Sequence, residues 1–290
     1  MDRILFGDNQ FFGVNHASEE KAKQQQMRFQ QIEAIADTLH AAYDAGIRGF
    51  SCTTHDRIAE LANIVRNEPG RWDGLKWYPG MPYAHKYANA VTEHGYFEAL
   101  KRLLPSGGLI DAMLTSGKAI LRGEVEKMAT LLIDAEMKPF QGLETPVIFM
   151  QNIVTDLILG LGYADAFRIF SDHIRDKYKA EAGFFSMNLP ALLPLLERAG
   201  VDNPIICSNV NHAAFRMSGG IEGYREATAK TPARVIAMSV LASGALPARE
   251  AIRWALNEPY VEAVLFGASS TANINSTVSL IEEYRPARWG

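Results

Sequence analysis

Ala182-Gly-Phe-Phe-Ser-Met-Asn-Leu-Pro-Ala-Leu-Leu-Pro-Leu-Leu-Glu-Arg-Ala-Gly-Val-Asp-Asn-Pro-Ile-Ile-Cys-Ser-Asn209 contains one complete strand–helix–strand unit. Ala182 to Phe185 is a short apolar run that stops at Ser186-Met187-Asn188. Leu189 to Ala199 has helical spacing, with Pro190 near its start and Gly200 just past its end, the positions where a helix favours those residues. Pro204 to Cys207 is a second apolar run, ending at Ser208-Asn209-Val210-Asn211. Two strands joined by a helix in so few residues are parallel neighbours in one sheet.

The same unit recurs on both sides. Toward the N-terminus the runs are Ile4 to Phe6 (ending Gly7-Asp8-Asn9-Gln10), Gly49 to Cys52 (ending Thr53-Thr54-His55-Asp56), Leu75 to Tyr78 (ending Pro79-Gly80-Met81-Pro82-Tyr83) and Pro146 to Met150 (ending Gln151-Asn152). Toward the C-terminus they are Arg234 to Met238, ending at Ser239, and Ala263 to Phe266, ending at Gly267-Ala268-Ser269-Ser270. With the first pair this makes eight, the number that closes an α/β (β/α)8 TIM barrel. Gln31 to Ala45 supplies one of the intervening helices, with Ile32, Ile35, Leu39 and Ala42 on one face and Gly46 at its end. The 290 residues are read as a single barrel domain over 1–290, with a helical insertion at about residues 98–143 broken at Pro105-Ser106-Gly107-Gly108 and Ser116-Gly117.

Composition excludes several classes. A net charge of −4 with 21% charged residues argues against a nucleic-acid partner, which calls for a basic face. No run reaches the roughly eighteen apolar residues of a membrane span. The N-terminus lacks the pattern of a signal peptide, and Cys52 and Cys207 show no paired spacing. A cytoplasmic location, a small-molecule substrate and no membrane partner are the expectations; the oligomeric state is not legible.

In such barrels the chemistry sits at the C-terminal mouth. The strand-end clusters therefore supply the candidates: Asp8, His55, Tyr83, His85 and Lys86 for catalysis, and Asn9, Gln10, Gln151 and Asn152 for substrate. Asp8 and Asn9 follow Gly7 with no obvious helix start behind them, so a capping role explains them poorly. His55-Asp56 can form an acid–base pair, or Asp56 can cap the next helix while His55 packs on the rim. Tyr83, His85 and Lys86 bring three proton-transfer groups into one loop; Lys86 can form a Schiff base if burial lowers its pKa, or be a solvated lysine. Ser186 and Ser208 serve equally as ligand contacts or helix caps. Cys52 reads as core.

Val235-Ile-Ala-Met-Ser-Val-Leu-Ala-Ser-Gly-Ala-Leu246, Ala251 to Pro259 and Val264-Leu-Phe-Gly-Ala-Ser-Ser-Thr-Ala-Asn-Ile274 resemble the last two strand–helix units of aldo-keto reductases. Gly183 to Asn188 and Ile205 to Asn209 are similar to that family's fifth and sixth strands. The resemblance implies an NADP or NAD cofactor held by Ser186, Asn188, Asn209, Ser239, Gly267, Ser269, Ser270 and Asn273, with a phosphate on the eighth strand's loop. A glycine, two hydroxyls and a helix N-terminus suit an anion there. The sequence departs from the family's Asp-Tyr-Lys-His tetrad: Ser51 or Cys52 stands in place of the Asp, His55 is in the following turn, Pro79-Gly80 replaces the Lys, and Gln151 or Asn152 replaces the His.

Three functional classes fit these residues. One is an atypical oxidoreductase drawing its acid from His55, Tyr83 or His85. The second is a non-redox lyase, aldolase or isomerase acting on a phosphorylated compound through His85 or Lys86. The third is a barrel that binds without turnover. A metal hydrolase has no HxH or HExxH spacing behind it, so no metal is expected.

Overall fold

The computed structural model describes residues 1–13, 19–83 and 119–290. Eight parallel strands close on themselves in sequence order: β1 (Ile4–Gly7), β2 (Gly49–Thr53), β3 (Lys76–Met81), β4 (Val147–Met150), β5 (Glu181–Phe185), β6 (Ile205–Asn209), β7 (Arg234–Met238) and β8 (Val261–Phe266). Closure is made by β1 against β8, with Ile4 opposite Val264 and Phe6 opposite Phe266. The outer layer comprises α1 (Glu19–Arg28), α2 (Ile32–Asp44), α3 (Asp56–Asn67), α4 (Ala119–Met137), α5 (Asn152–Leu161), α6 (Ala164–His173), α7 (Leu189–Arg198), α8 (Gly220–Lys230), α9 (Ala248–Asn257) and α10 (Thr271–Glu283). The (β/α)8 expectation therefore holds.

Two apolar layers follow from strand alternation. Leu5, Tyr78, Val147, Phe149, Ile205, Cys207, Ile236 and Ala263 fill the barrel interior. The opposite strand faces join the apolar stripes of the helices in a larger core that includes Phe6, Phe50, Trp77, Phe184 and Ile206. Gly183 is required inside: a Cβ there would lie 2.3 Å from the Phe149 ring.

Boundaries moved at two strands that matter for the mouth. β3 runs on through Pro79 and Gly80 to Met81, because Pro79 can stand opposite Cys52 while its missing N–H costs one ladder bond. β6 absorbs Ser208 and Asn209, which pair with Ala237 and Met238 and are buried. Of the expected insertion at 98–143, α4 is a single helix packed against α6, and the 3-10 turn Lys138–Phe140 behind it leads into β4 and packs on α3. Residues 98–118, with both expected breaks, lie outside the described residues. No described helix is long and apolar enough to cross a membrane.

Candidate functional site

Asp8 leaves the end of β1 at the C-terminal mouth, one step beyond the Gly7–Ser51 pair, and is 5% exposed. Its Oδ2 accepts from the backbone N–H of Thr53 at 2.6 Å and from Thr53 Oγ1 at 2.8 Å. Burial pushes the carboxyl from its ordinary 3.8 up to about 6, against the pull of both Thr53 bonds. Asp8 can therefore hold or release a proton near neutrality. Cys52, beside it, is raised well above the usual thiol range by burial and then by the Asp8 charge, so it is inert core.

Tyr83 follows β3 and is half-buried; its phenol is pushed up by burial and then by the charge of Asp8, so it stays protonated at neutral pH. His55 is the N-cap of α3: Nδ1 accepts from the Arg57 N–H at 3.0 Å, which leaves Nε2 to carry the proton of the neutral ring. Asp56 is the first helical residue, not the cap. The His55 ring stacks on Phe12 with centroids 4.2 Å apart and meets the Tyr83 ring edge-on at 5.2 Å. The structure thus gathers Asp8, His55 and Tyr83 with Phe12 and Thr53 over β1 to β3. His85 and Lys86 lie outside the described residues.

The other predicted residues occupy the rest of the rim. Asn9 is exposed in a 3-10 turn, Asn9–Phe12. Gln10, in the same turn, is 4% exposed, and its Nε2 donates to the Gly7 carbonyl at 2.6 Å. Gln151 caps the start of α5 with its backbone and donates from Nε2 to the Gly80 carbonyl at 3.3 Å; Asn152 begins that helix.

At β5 and β6 the polar groups are turned on the protein itself. Ser186 Oγ donates to Asp156 Oδ1 at 2.6 Å and accepts from the Asn188 N–H at 3.0 Å. The side chain of Asn188 caps α7, and Asn209 Nδ2 donates to the Arg216 carbonyl at 3.0 Å. Ser208 Oγ bonds to the Ser186 carbonyl and to Tyr224 Oη, at 2.7 and 2.8 Å. Ser239 is left-handed, with φ of 52°, and its carbonyl accepts from Asn211 Nδ2 at 3.4 Å.

After β8, Ser270 caps α10 by accepting from the Asn273 N–H at 3.3 Å. A cavity of about 230 Å³ opens beside this helix start, lined by Arg28, Ala34, Asp37, Thr38, Ser269 and Thr271. Its lining combines the Arg28 guanidinium, the Ser269 and Thr271 hydroxyls and the N-terminus of a thirteen-residue helix, which favour an anion such as a nucleotide phosphate, with the Asp37 carboxylate, which opposes one. Ser186 and Asn209, expected from the resemblance to hold the amide end of a nucleotide, already serve internal partners. No group of metal-ligating side chains occurs among the described residues.

The chain folds as a closed (β/α)8 barrel that resembles solved aldo-keto reductases, with a buried carboxylate at its mouth that comes from the end of β1. Its fold matches a candidate aldo-keto reductase from Pseudomonas aeruginosa at a TM-score of 0.63 and 12% identity, covering 98% of this chain and 92% of that one. An aldo-keto reductase from a Medee basin deep-sea metagenome library aligns over 100% of this chain and 88% of its own, with a TM-score of 0.58 and 12% identity. The aldo/keto reductase of Brucella melitensis aligns over 96% and 88%, at 0.58 and 11% identity. No protein-family model matches the sequence. Comparison with curated proteins gives no match either.

Sequence reasoning missed four contributors. Phe12 ends the turn that follows β1 and is apolar, so it lacks the polar group that marks a candidate, and Arg28 stands away from any strand end. Glu136, 3% exposed on α4, accepts from the Thr54 hydroxyl and ties that helix to the end of β2. Asp156 reaches Ser186 from one turn inside α5. Only Asp156 carried a signal, as the one charge in its helix.

Proposed function

We propose that the chain is an aldo-keto-reductase-like oxidoreductase that uses NADPH or NADH to interconvert a small, sugar-like carbonyl compound and its alcohol. The observation that carries this reading is Asp8: a buried carboxyl at the barrel mouth, raised to about 6 and electrostatically coupled to Tyr83. A group whose pKa lies near the working pH is suited to general acid–base catalysis. A nicotinamide nucleotide, when bound, would supply the hydride for the carbonyl carbon. Tyr83 donates a hydrogen bond that polarises the carbonyl oxygen, and Asp8 provides the proton which that oxygen takes up. In the reverse direction Asp8 accepts it. Thr53 fixes the Asp8 carboxylate through its backbone N–H and its hydroxyl.

Arg28, Ser269 and Thr271 hold a nucleotide phosphate against the start of α10, so binding favours the nucleotide with the additional phosphate. Both cysteines are free and buried, and we place the activity in the reducing cytoplasm. The test is NADPH consumption by the purified chain with a panel of aldehydes, ketoses and sugar phosphates. The reading expects turnover in the wild type, loss in Asp8→Asn and strong reduction in Tyr83→Phe. Turnover of a sugar phosphate without any nucleotide would instead assign Asp8 to isomerase or lyase chemistry.

A further inference from the structure

Glu136 is a buried carboxyl group that the chemistry above does not use. It stands in the last turn of α4 and accepts from the hydroxyl of Thr54, which is itself buried. Thr54 is the middle one of three residues that lead out of β2. An extended chain turns alternate side chains to opposite sides, and burial follows that alternation: Thr53 and His55 are half-buried, and Thr54 between them is fully buried. Thr53 clasps Asp8 with its N–H and its hydroxyl, at 2.6 and 2.8 Å. His55 stacks on Phe12 and meets the Tyr83 ring. Thr54 is therefore turned away from these groups and onto α4.

The last turn of α4 is itself fastened on other sides. Asp134, two residues earlier and so on nearly the opposite face of the helix, accepts from Tyr178 Oη at 2.7 Å and from Lys177 Nζ at 2.5 Å, and meets His173 Nε2 at 2.8 Å. These bonds tie α4 to the end of α6 and the turn Ile174–Tyr178 that follows it. Just past α4, the carbonyls of Pro139 and Gln141 accept from Arg66 on α3, at 2.6 and 3.0 Å. Groups held by rigid elements keep a site in register, so the bond from Glu136 sets where Thr54 lies and, one peptide away, where the Thr53 N–H lies. We propose that Glu136 is a positioning residue for the acid–base site: bound to Thr54, it holds the end of β2 so that Thr53 grips the Asp8 carboxylate with both of its donors. The inference rests on the reading of Asp8 as the proton-transferring group. Glu136 touches neither Asp8 nor a reacting atom and acts through the strand end alone.

The experiment follows the titration of Asp8 itself, in the full chain labelled with ¹³C at aspartate carboxyls and without substrate or nucleotide. The Asp8 signal is assigned by its loss in Asp8→Asn. Hydrogen bonds to an ionised carboxylate favour that form, so loosening the Thr53 grip raises the midpoint. Thr54→Val keeps the shape and removes the hydroxyl; its Asp8 midpoint is expected about 0.5 to 1 pH unit above that of the wild type, the worth of about one hydrogen bond. Thr54→Ser and Glu136→Gln retain a donor and an acceptor and should titrate as the wild type does. The double variant Glu136→Leu/Thr54→Val replaces both partners by apolar groups, which costs little stability, and should show the same rise as Thr54→Val. Unchanged midpoints in Thr54→Val and in the double variant overturn the inference, leaving the bond a structural fastening. An equal rise in Ile133→Ala, which loosens the packing of α4 and leaves the bond in place, also overturns it. A wild-type midpoint at the ordinary 3.8 removes Asp8 as the proton carrier, and a rise above that value in Thr54→Val still supports the tie. Absence of turnover with NADPH removes the reductase reading and leaves these midpoints as they are.

Discussion

Replacing Asp8 by asparagine should stabilise the protein at alkaline pH and leave its stability nearly unchanged in acid. The folded carboxyl titrates near 6, against 3.8 for the ordinary group. At about 1.4 kcal/mol per tenfold change in proton affinity, that rise corresponds to about 3 kcal/mol. Because the folded value is the higher one, the native state binds more protons than the unfolded state between pH 3.8 and 6. The contribution of Asp8 to stability is thus fully present below 3.8, falls as pH rises through 6, and is lost above it. The substituted amide does not ionise and can still accept one Thr53 bond, so the variant escapes that loss. For a chain of 290 residues, about 3 kcal/mol is worth about 5 °C in melting temperature. Thermal melts of both proteins from pH 4 to pH 8.5 should show a difference that opens through pH 5 to 6 in favour of Asp8→Asn. A difference that stays constant across the range, or a variant less stable at pH 8, would refute the claim that burial controls this carboxyl.

Further outcomes follow from the same geometry. Thr53→Val removes the hydroxyl that lowers the Asp8 pKa, so the inflection of its pH–rate profile should move to higher pH; an unmoved inflection would detach Asp8 from the rate. Tyr83→Phe should lower kcat by at least about 100-fold with an unchanged melting temperature, as read by steady-state kinetics and scanning calorimetry. Gly183→Ala drives a methyl into the Phe149 ring and should cost about 3 kcal/mol or more, measured by urea denaturation. Arg28→Gln should weaken NADPH more than NADH in parallel binding titrations, because only the former brings the additional phosphate.

The barrel was legible because its strand–helix unit repeats with little disguise. Arg234 to Met238 was placed to the residue, and the α2 and α7 boundaries agree within one position, since Gly46, Pro190 and Gly200 punctuate them. Legibility failed where tertiary pairing overrode local signals. Pro79-Gly80 and Ser208-Asn209 read as loops, yet their neighbours in the ladder hold them as strand. The rim residues were found because the fold dictates where strands end. Their partners were not, because which atom meets which depends on contacts between residues far apart in sequence. Asp8 with Thr53, Ser186 with Asp156 and Thr54 with Glu136 are such pairs. The glycine at 267, read as room for a ligand, is in the structure also room for Gln10.

The proposed reduction requires first that this mouth bind a nicotinamide nucleotide. The most direct measurement is a thermal-shift titration of the purified chain with NADPH and NADH, because a ligand that binds only the folded state raises the melting temperature by mass action. A saturable rise with NADPH is expected, smaller with NADH and reduced in Arg28→Gln. A flat response to both nucleotides over a range that saturates ordinary reductases would contradict it.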